Sequence, residues 1–372
     1  MTGVLQSVLA QLPDAFGWDS EPSIWGALRD ARIRVARMGL LAQMPHAEQL
    51  LLPLPPESQV RILAAPELWY RTQRGRDLGK PLGPFLEAAV EAEWAVADVP
   101  TSEGRWTALG DWWFPAGTYH RDYRGGTDLR EDAVYRAPSA RGIPVDNRSP
   151  WTRGPLEEVS GGDRTIGFGP LSSTVGHLEA AFDVIGATAP SADLAIRSLV
   201  EVIALRADVE PEARFTSAST RLALGRLILR NPHNAAVLDL VDGIVHETVH
   251  FALDTFETQA RLIIDRDQAG AMLPSPWTGR RLNLDTYIQA CFVWYALFNF
   301  WFARIASLSA DGPDALRLMG RSAKGFRDRA MTEVLAPRSS SLAEGLLDSL
   351  NEMQTRVNTK IAAVETALAQ SR

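Results

Sequence analysis

His246-Glu247-Thr248-Val249-His250 is the segment of this chain whose residue types and spacing point most directly to chemistry. On a helix, residues four apart share a face one turn apart, so His246 and His250 can reach a single ion. Imidazole suits zinc, iron and copper. Glu247, beside the first histidine, holds the position that in zinc hydrolases carries the general base for a metal-bound water. Asp242, His246, His250 and Asp254 recur every four residues, a polar stripe on a helix otherwise rich in Val, Leu, Ile and Phe. The aspartates are candidates to hydrogen-bond the second nitrogens of the histidines. The competing reading is a solvated helix face with two incidental histidines.

Two histidines do not complete a site, and a third ligand is sought downstream. The window 269–275, where one common zinc-peptidase class places a glutamate, holds no Glu or Asp. HExxHxxGxxH is absent too, since Phe256 stands where its last His would be. The next helix offers two candidates. Asp285 would complete a two-histidine, one-carboxylate triad of the non-haem iron type, against the alternative of a helix N-cap. Gln289 is a polar amide on an otherwise apolar helix, and it either binds the ion or makes an ordinary buried hydrogen bond.

The elements that must position these residues are mostly helical. The segments 27–44 and 83–99 have helical apolar spacing, with a proline-rich break at 51–59 between them. From 100 to 174 the chain is rich in Gly, Pro, Trp, Asp and Arg, which predicts short strands and long loops forming a lid or a substrate platform. Helices are expected over 177–190 and 191–207, the latter capped by Ser191. FTSAS and RLILR, around Gly225, read as two strands. Asn231-Pro232 reads as the start of the HETVH helix, which is expected to run on through Ile264. The segment 274–285 reads as a loop, Tyr287–Ala303 as a buried aromatic helix, and 341–370 as a long amphipathic one. The expected fold is mainly α with a small β-sheet next to the HExxH helix, a metalloenzyme-like α+β core. Its expected parts are an N-terminal helical region (1–99), the loop- and strand-rich region (100–174) and a catalytic region with C-terminal helices (175–372).

In this order the pieces resemble a known family. From about Ala180 to Trp301 the chain resembles the HExxH-motif family found beside clusters that make ribosomal peptides. Members include iron- and 2-oxoglutarate-dependent peptide β-hydroxylases. The shared layout is a helix ending at Pro190 and the helix after it, FTSAS with Ser217 and Ser219, Gly225 before a short apolar strand, the HETVH helix, SPW (275–277) with arginines after it, and an apolar-aromatic helix. The chain departs from the family pattern at Gln289, which stands where the family carries a histidine. The resemblance implies iron(II) held by His246, His250 and a third group, which is Asp285, Gln289 or a donor from the co-substrate. It implies 2-oxoglutarate, whose far carboxylate Arg280 or Arg281 would grip, and Ser217 and Ser219 lining the pocket. The implied substrate is a peptide side chain of a precursor with a leader, hydroxylated at its β-carbon. The residues alone leave two other readings open: a zinc peptidase with Glu247 as base, and a non-catalytic helical peptide-binding protein.

Bulk composition narrows the rest. The net charge of −7 argues against a nucleic-acid partner. The aromatic helix is interrupted by Gln289 and Asn299 and ends at Arg304, so it reads as core rather than a membrane span. A single cysteine, Cys291, and an N-terminus without a basic segment fit the cytoplasm. Trp112, Trp113 and His120 read as aromatic packing ahead of peptide contact. His46, His177 and His233 read as structural.

Overall fold

The computed structural model describes residues 2–18, 24–74, 79, 81–125, 129–152, 168–208, 210, 212–307, 311–328 and 331–370. The stretch 153–167, part of the expected lid or platform, lies outside the described residues. Helices come first along the chain: α1 (Thr2–Ala15), α2 (Ile24–Gln43), α3 (Ala47–Leu51), α4 (Pro56–Ala64), α5 (Pro66–Arg74) and α6 (Leu82–Val96). Short strands follow: β1 (Arg105–Trp106), β2 (Trp112–Phe114), β3 (Tyr135–Arg136), β4 (Ser139–Ala140) and β5 (Ile143–Asp146). Then come α7 (Phe168–Thr188), α8 (Pro190–Leu199), β6 (Val202–Arg206), β7 (Thr216–Ala218), β8 (Arg226–Arg230) and α9 (Val237–Glu257). The chain ends with α10 (Arg266–Ala269), β9 (Met272–Pro274), β10 (Arg281–Asn283), α11 (Leu284–Ala306), α12 (Gly312–Asp328), α13 (Met331–Leu335) and α14 (Leu346–Gln370). The architecture is mainly α with small mixed sheets. No helix among the described residues is long and apolar enough to cross a membrane.

The chain divides into two compact units, and the division falls within α9, after Glu247. One unit comprises Gly26–Asp183 and Ile196–Glu247. Its larger sheet has the order β4-β5-β6-β8-β7. β6 runs parallel to both β5 and β8, and β7 closes the edge antiparallel to β8. All five residues of β6 are buried, which is why Val202–Arg206 reads as a continuous apolar run rather than an alternating one. The smaller sheet, β1-β2-β3, is covered by α6, whose Ala92 and Ala95 pack with Trp112 and Phe114. Two arginines buried here are paired with glutamates. Arg226 of β8 lies 3.3 Å from Glu67 of α5, and Arg32 of α2 donates to Leu199 O at 2.9 Å and to the Glu201 carboxylate.

The other unit comprises Met1–Trp25, Val184–Ala195 and Thr248–Arg372. Its centre is α11, on which Tyr287, Phe292, Tyr295, Phe298 and Trp301 are all buried. Trp18 Nε1 donates to Ala296 O at 2.9 Å and the Tyr295 hydroxyl to Pro13 O at 3.0 Å, tying the N-terminal segment to this helix. Cys291 is buried among the same apolar groups, which pushes its thiol pKa up. β9 and β10 form a hairpin that carries Trp277, whose Nε1 donates to Ser322 O of α12 at 2.8 Å. That ring stacks beside Trp294 and meets Phe326 edge-on. SPW is thus an anchor: Trp277 is buried, and Ser275 holds the turn through its bond to the Thr278 N–H.

Four local expectations are corrected. The stretch 191–207 is not one helix: α8 starts at Pro190 and stops at Leu199, and the β-branched run after it becomes the central strand β6. Pro190 takes the first-turn position expected for Ser191 as cap. Asn231 does not cap α9. It sits at φ +53°, where its side chain donates to Asp208 and to Arg214 O, and a short 3-10 turn (Pro232–Asn234) precedes the helix. α9 ends at Glu257 rather than Ile264. The 274–285 loop is a hairpin, and Asn283, not Asp285, caps α11 by accepting from the Thr286 N–H at 2.8 Å.

Candidate metal centre

Helix α9 presents His246, Glu247 and His250 from a single turn, so the helix itself sets their spacing. One ligand atom from each of the three lies within 4.8 Å of the others. Glu247 is buried, and both histidines are half-buried. The gathered donors are two imidazole nitrogens and a carboxylate oxygen, a set that fits a borderline divalent ion such as iron(II) or zinc. Among the described residues, these three form a group that could hold an ion.

Glu247 is held from the sheet. Ser217 Oγ donates to its Oε1 at 2.8 Å and Ser219 Oγ donates to its Oε2 at 2.6 Å. Strand periodicity explains why this takes two serines two residues apart, since residues i and i+2 face the same way. Thr216 and Ala218, between and before them, are exposed. Gly243 brings helix and strand close, for a Cβ there would stand 3.1 Å from Phe215 and from Ser217.

His250 is held from α11. Its Nδ1 lies 2.6 Å from Gln289 Oε1, and Gln289 Nε2 donates to Asp254 Oδ1 at 3.0 Å. Asp254 accepts only, so the Gln289 amide nitrogen faces it and the amide oxygen faces the imidazole. His250 Nδ1 is then the protonated nitrogen, and Nε2 is the nitrogen that can offer a lone pair to an ion. Gln289 and Asp254 are both buried, so the amide has no water to compete for these bonds.

The remaining candidates stand apart from this cluster. Asp285 lies half-buried in the first turn of α11 and is not one of the three gathered donors. Arg280 and Arg281 are exposed on the hairpin. Arg281 donates to Met272 O at 3.2 Å, and neither guanidinium bonds to the cluster among the described residues. Trp112 stacks on Phe114 and meets His120 and Tyr123 edge-on, while His120 Nδ1 lies 3.2 Å from Asp98 Oδ1. His46, His177 and His233 are not part of the gathered group.

Sequence reasoning did not foresee the serine clamp on Glu247 or the Gln289 bridge. The Ser-x-Ser spacing of β7 was the available signal for the first. The Asp254 position in the i+4 stripe was the signal for the second, and Asp254 accepts from the Gln289 amide that holds His250. Comparison with known proteins gave no matching family model and no matching curated sequence.

Proposed function

We propose that this protein is an iron(II)- and 2-oxoglutarate-dependent oxygenase that hydroxylates a side-chain β-carbon of a ribosomally made peptide. The observation that carries the choice is the pair of serine bonds on Glu247. One hydroxyl bond on each oxygen fixes the carboxylate in one orientation and leaves a further lone pair on both. A fixed carboxylate beside two imidazoles suits holding an ion, and its composition is that of the two-histidine, one-carboxylate iron sites. When bound, iron(II) with dioxygen and 2-oxoglutarate supplies the oxidising power for hydroxylation.

In this reading His246 and His250 bind the ion, Glu247 is the carboxylate in reach, and Gln289 positions His250 and does not ligate. Asp285 remains the alternative carboxylate. Arg280 or Arg281 offers the cation for the far carboxylate of the co-substrate. The test is succinate formation from 2-oxoglutarate by protein loaded anaerobically with iron(II) and mixed with candidate precursor peptides, with the peptide gaining one oxygen in mass. No succinate under any iron-loaded condition overturns the proposal.

The closeness of Glu247 to the histidines keeps one second reading, a zinc peptidase. Glu247→Gln would then abolish peptide cleavage while leaving bound zinc in place. A non-catalytic helical binding protein would carry no stoichiometric metal.

A further inference from the structure

A second feature lies in the unit that contains the larger sheet. A cavity of about 480 Å3 opens between the β4–β5 hairpin, β2 and the end of α8. That is the size range of sites that hold ligands larger than a simple ion. Its apolar lining includes Leu109, Trp112, Ile143 and Val200, and its charged lining is mostly arginine: Arg61, Arg136, Arg141 and Arg197.

The carboxylates of the cavity are already engaged within the protein. Asp111 accepts from Arg61 Nη2 at 2.8 Å and from Thr107 Oγ1 at 2.6 Å, and Arg61 is shared with Glu93. Glu201 accepts from Arg29 and Arg32. Positive charge is therefore left over at the rim. Arg136 is exposed; it lies 5.1 Å over the Trp112 ring and has no carboxylate partner among the described residues. Arg141 is exposed at the hairpin tip, with a 3.3 Å pair to the exposed Asp183, an arrangement that contributes little in water.

Arg141 is also held in an uncommon backbone state. Arg141 and Gly142 have φ of +51° and +80°, the two-residue hairpin turn that ordinarily takes Asn-Gly or Asp-Gly. The Glu179 carboxylate accepts from the Arg141 N–H at 3.0 Å and holds the turn. An arginine kept in a conformation that favours Asn, Asp or Gly marks a position where the side chain matters more than local comfort.

We propose that this cleft binds an acidic peptide segment, with Arg136 and Arg141 receiving carboxylates and Trp112, Leu109 and Ile143 receiving neighbouring apolar side chains. The choice of a peptide over a free small carboxylate rests on the reading that the substrate is a peptide, and on the apolar side chains that line the cleft beside the arginines. Metal and co-substrate take no part in this binding, so its failure and that of the oxygenase reading are separable.

The test is calorimetric binding to the full-length, metal-free chain. The probes are a ten-residue peptide of alternating Glu and Leu, its Gln-for-Glu counterpart, and free glutarate. Binding of the acidic peptide is expected, weakened about tenfold by Arg136→Gln or by Arg141→Gln, which matches the loss of one charge-assisted contact. The Gln peptide is expected to bind at least tenfold more weakly. Circular dichroism and the urea midpoint should be unchanged in both variants, since the side chains are exposed. Equal binding of the two peptides, no effect of either variant, or glutarate binding as tightly as the acidic peptide would each overturn the proposal.

Discussion

Gln289 Oε1 lies 2.6 Å from His250 Nδ1, so the amide on the apolar-aromatic helix α11 grips a histidine of the HETVH helix. The amide is itself oriented by Asp254. In metal sites such partners fix the ring and its tautomer, and their loss typically costs about 10–100-fold in metal affinity. Gln289→Leu is expected to weaken iron(II) or zinc binding by that factor, measured by chelator competition. Gln289→Glu, which keeps an acceptor toward Nδ1, is expected to retain more affinity than Leu does. Unchanged affinity in Gln289→Leu would remove the positioning role.

Ser217 and Ser219 give the matching prediction for Glu247. Each serine-to-alanine change removes one donor from a buried carboxylate and is expected to lower stability by about 1–3 kcal/mol in urea denaturation. Removing donors and acceptor together should cost less than the sum. Ser217→Ala, Ser219→Ala and Glu247→Leu combined are therefore expected to recover part of the loss. Strict additivity would show that the two hydroxyls do not act on Glu247.

Gly325 of α12 faces the Trp277 indole, and a Cβ there would run into that ring. Gly325→Ala is expected to destabilise the protein by about 1–3 kcal/mol through overpacking, read by the denaturation midpoint. Stability equal to the parent would mean that SPW does not anchor the hairpin.

Much of this arrangement was legible in the residues. The 3.6-residue periodicity gave the helix around His246 and His250, and FTSAS and RLILR gave the pair β7 and β8. Where the reading failed, tertiary context decided. Val202–Arg206 has a composition that suits a buried helix or a buried strand, and only its place between β5 and β8 selects the strand. Asn231 carries a helix-cap signature next to Pro232, yet its bonds to Asp208 and Arg214 O hold it left-handed. Gln289 posed the same difficulty at the site. An isolated amide on an apolar helix announces a partner, but the partner is 39 residues away in sequence. Spacing rules along one helix do not reach that far.

Asp146, at the end of β5, gives a pH dependence. Burial pushes its pKa up to about 6 from 3.8, against the opposing hydrogen bonds from Ser149 and Arg148 and the charge of Arg226. A carboxyl whose folded pKa exceeds its unfolded one binds more protons when folded. Its stabilising contribution is then full below about pH 4 and is lost as pH rises through about 6. That loss is on the order of 2–3 kcal/mol. Relative to the parent, Asp146→Asn is expected to gain about this much stability between pH 4 and pH 7 in urea titrations. A constant difference across that range would contradict the assignment.

Elemental analysis joined to a succinate assay decides whether His246 and His250 hold an ion used in oxidation. The chain, reconstituted anaerobically with iron(II), is expected to carry one iron per molecule, to lose it in His246→Ala and His250→Ala, and to form succinate from 2-oxoglutarate only when iron is bound. A chain that binds no stoichiometric metal, or that takes up zinc and cleaves peptides through Glu247, would contradict that role.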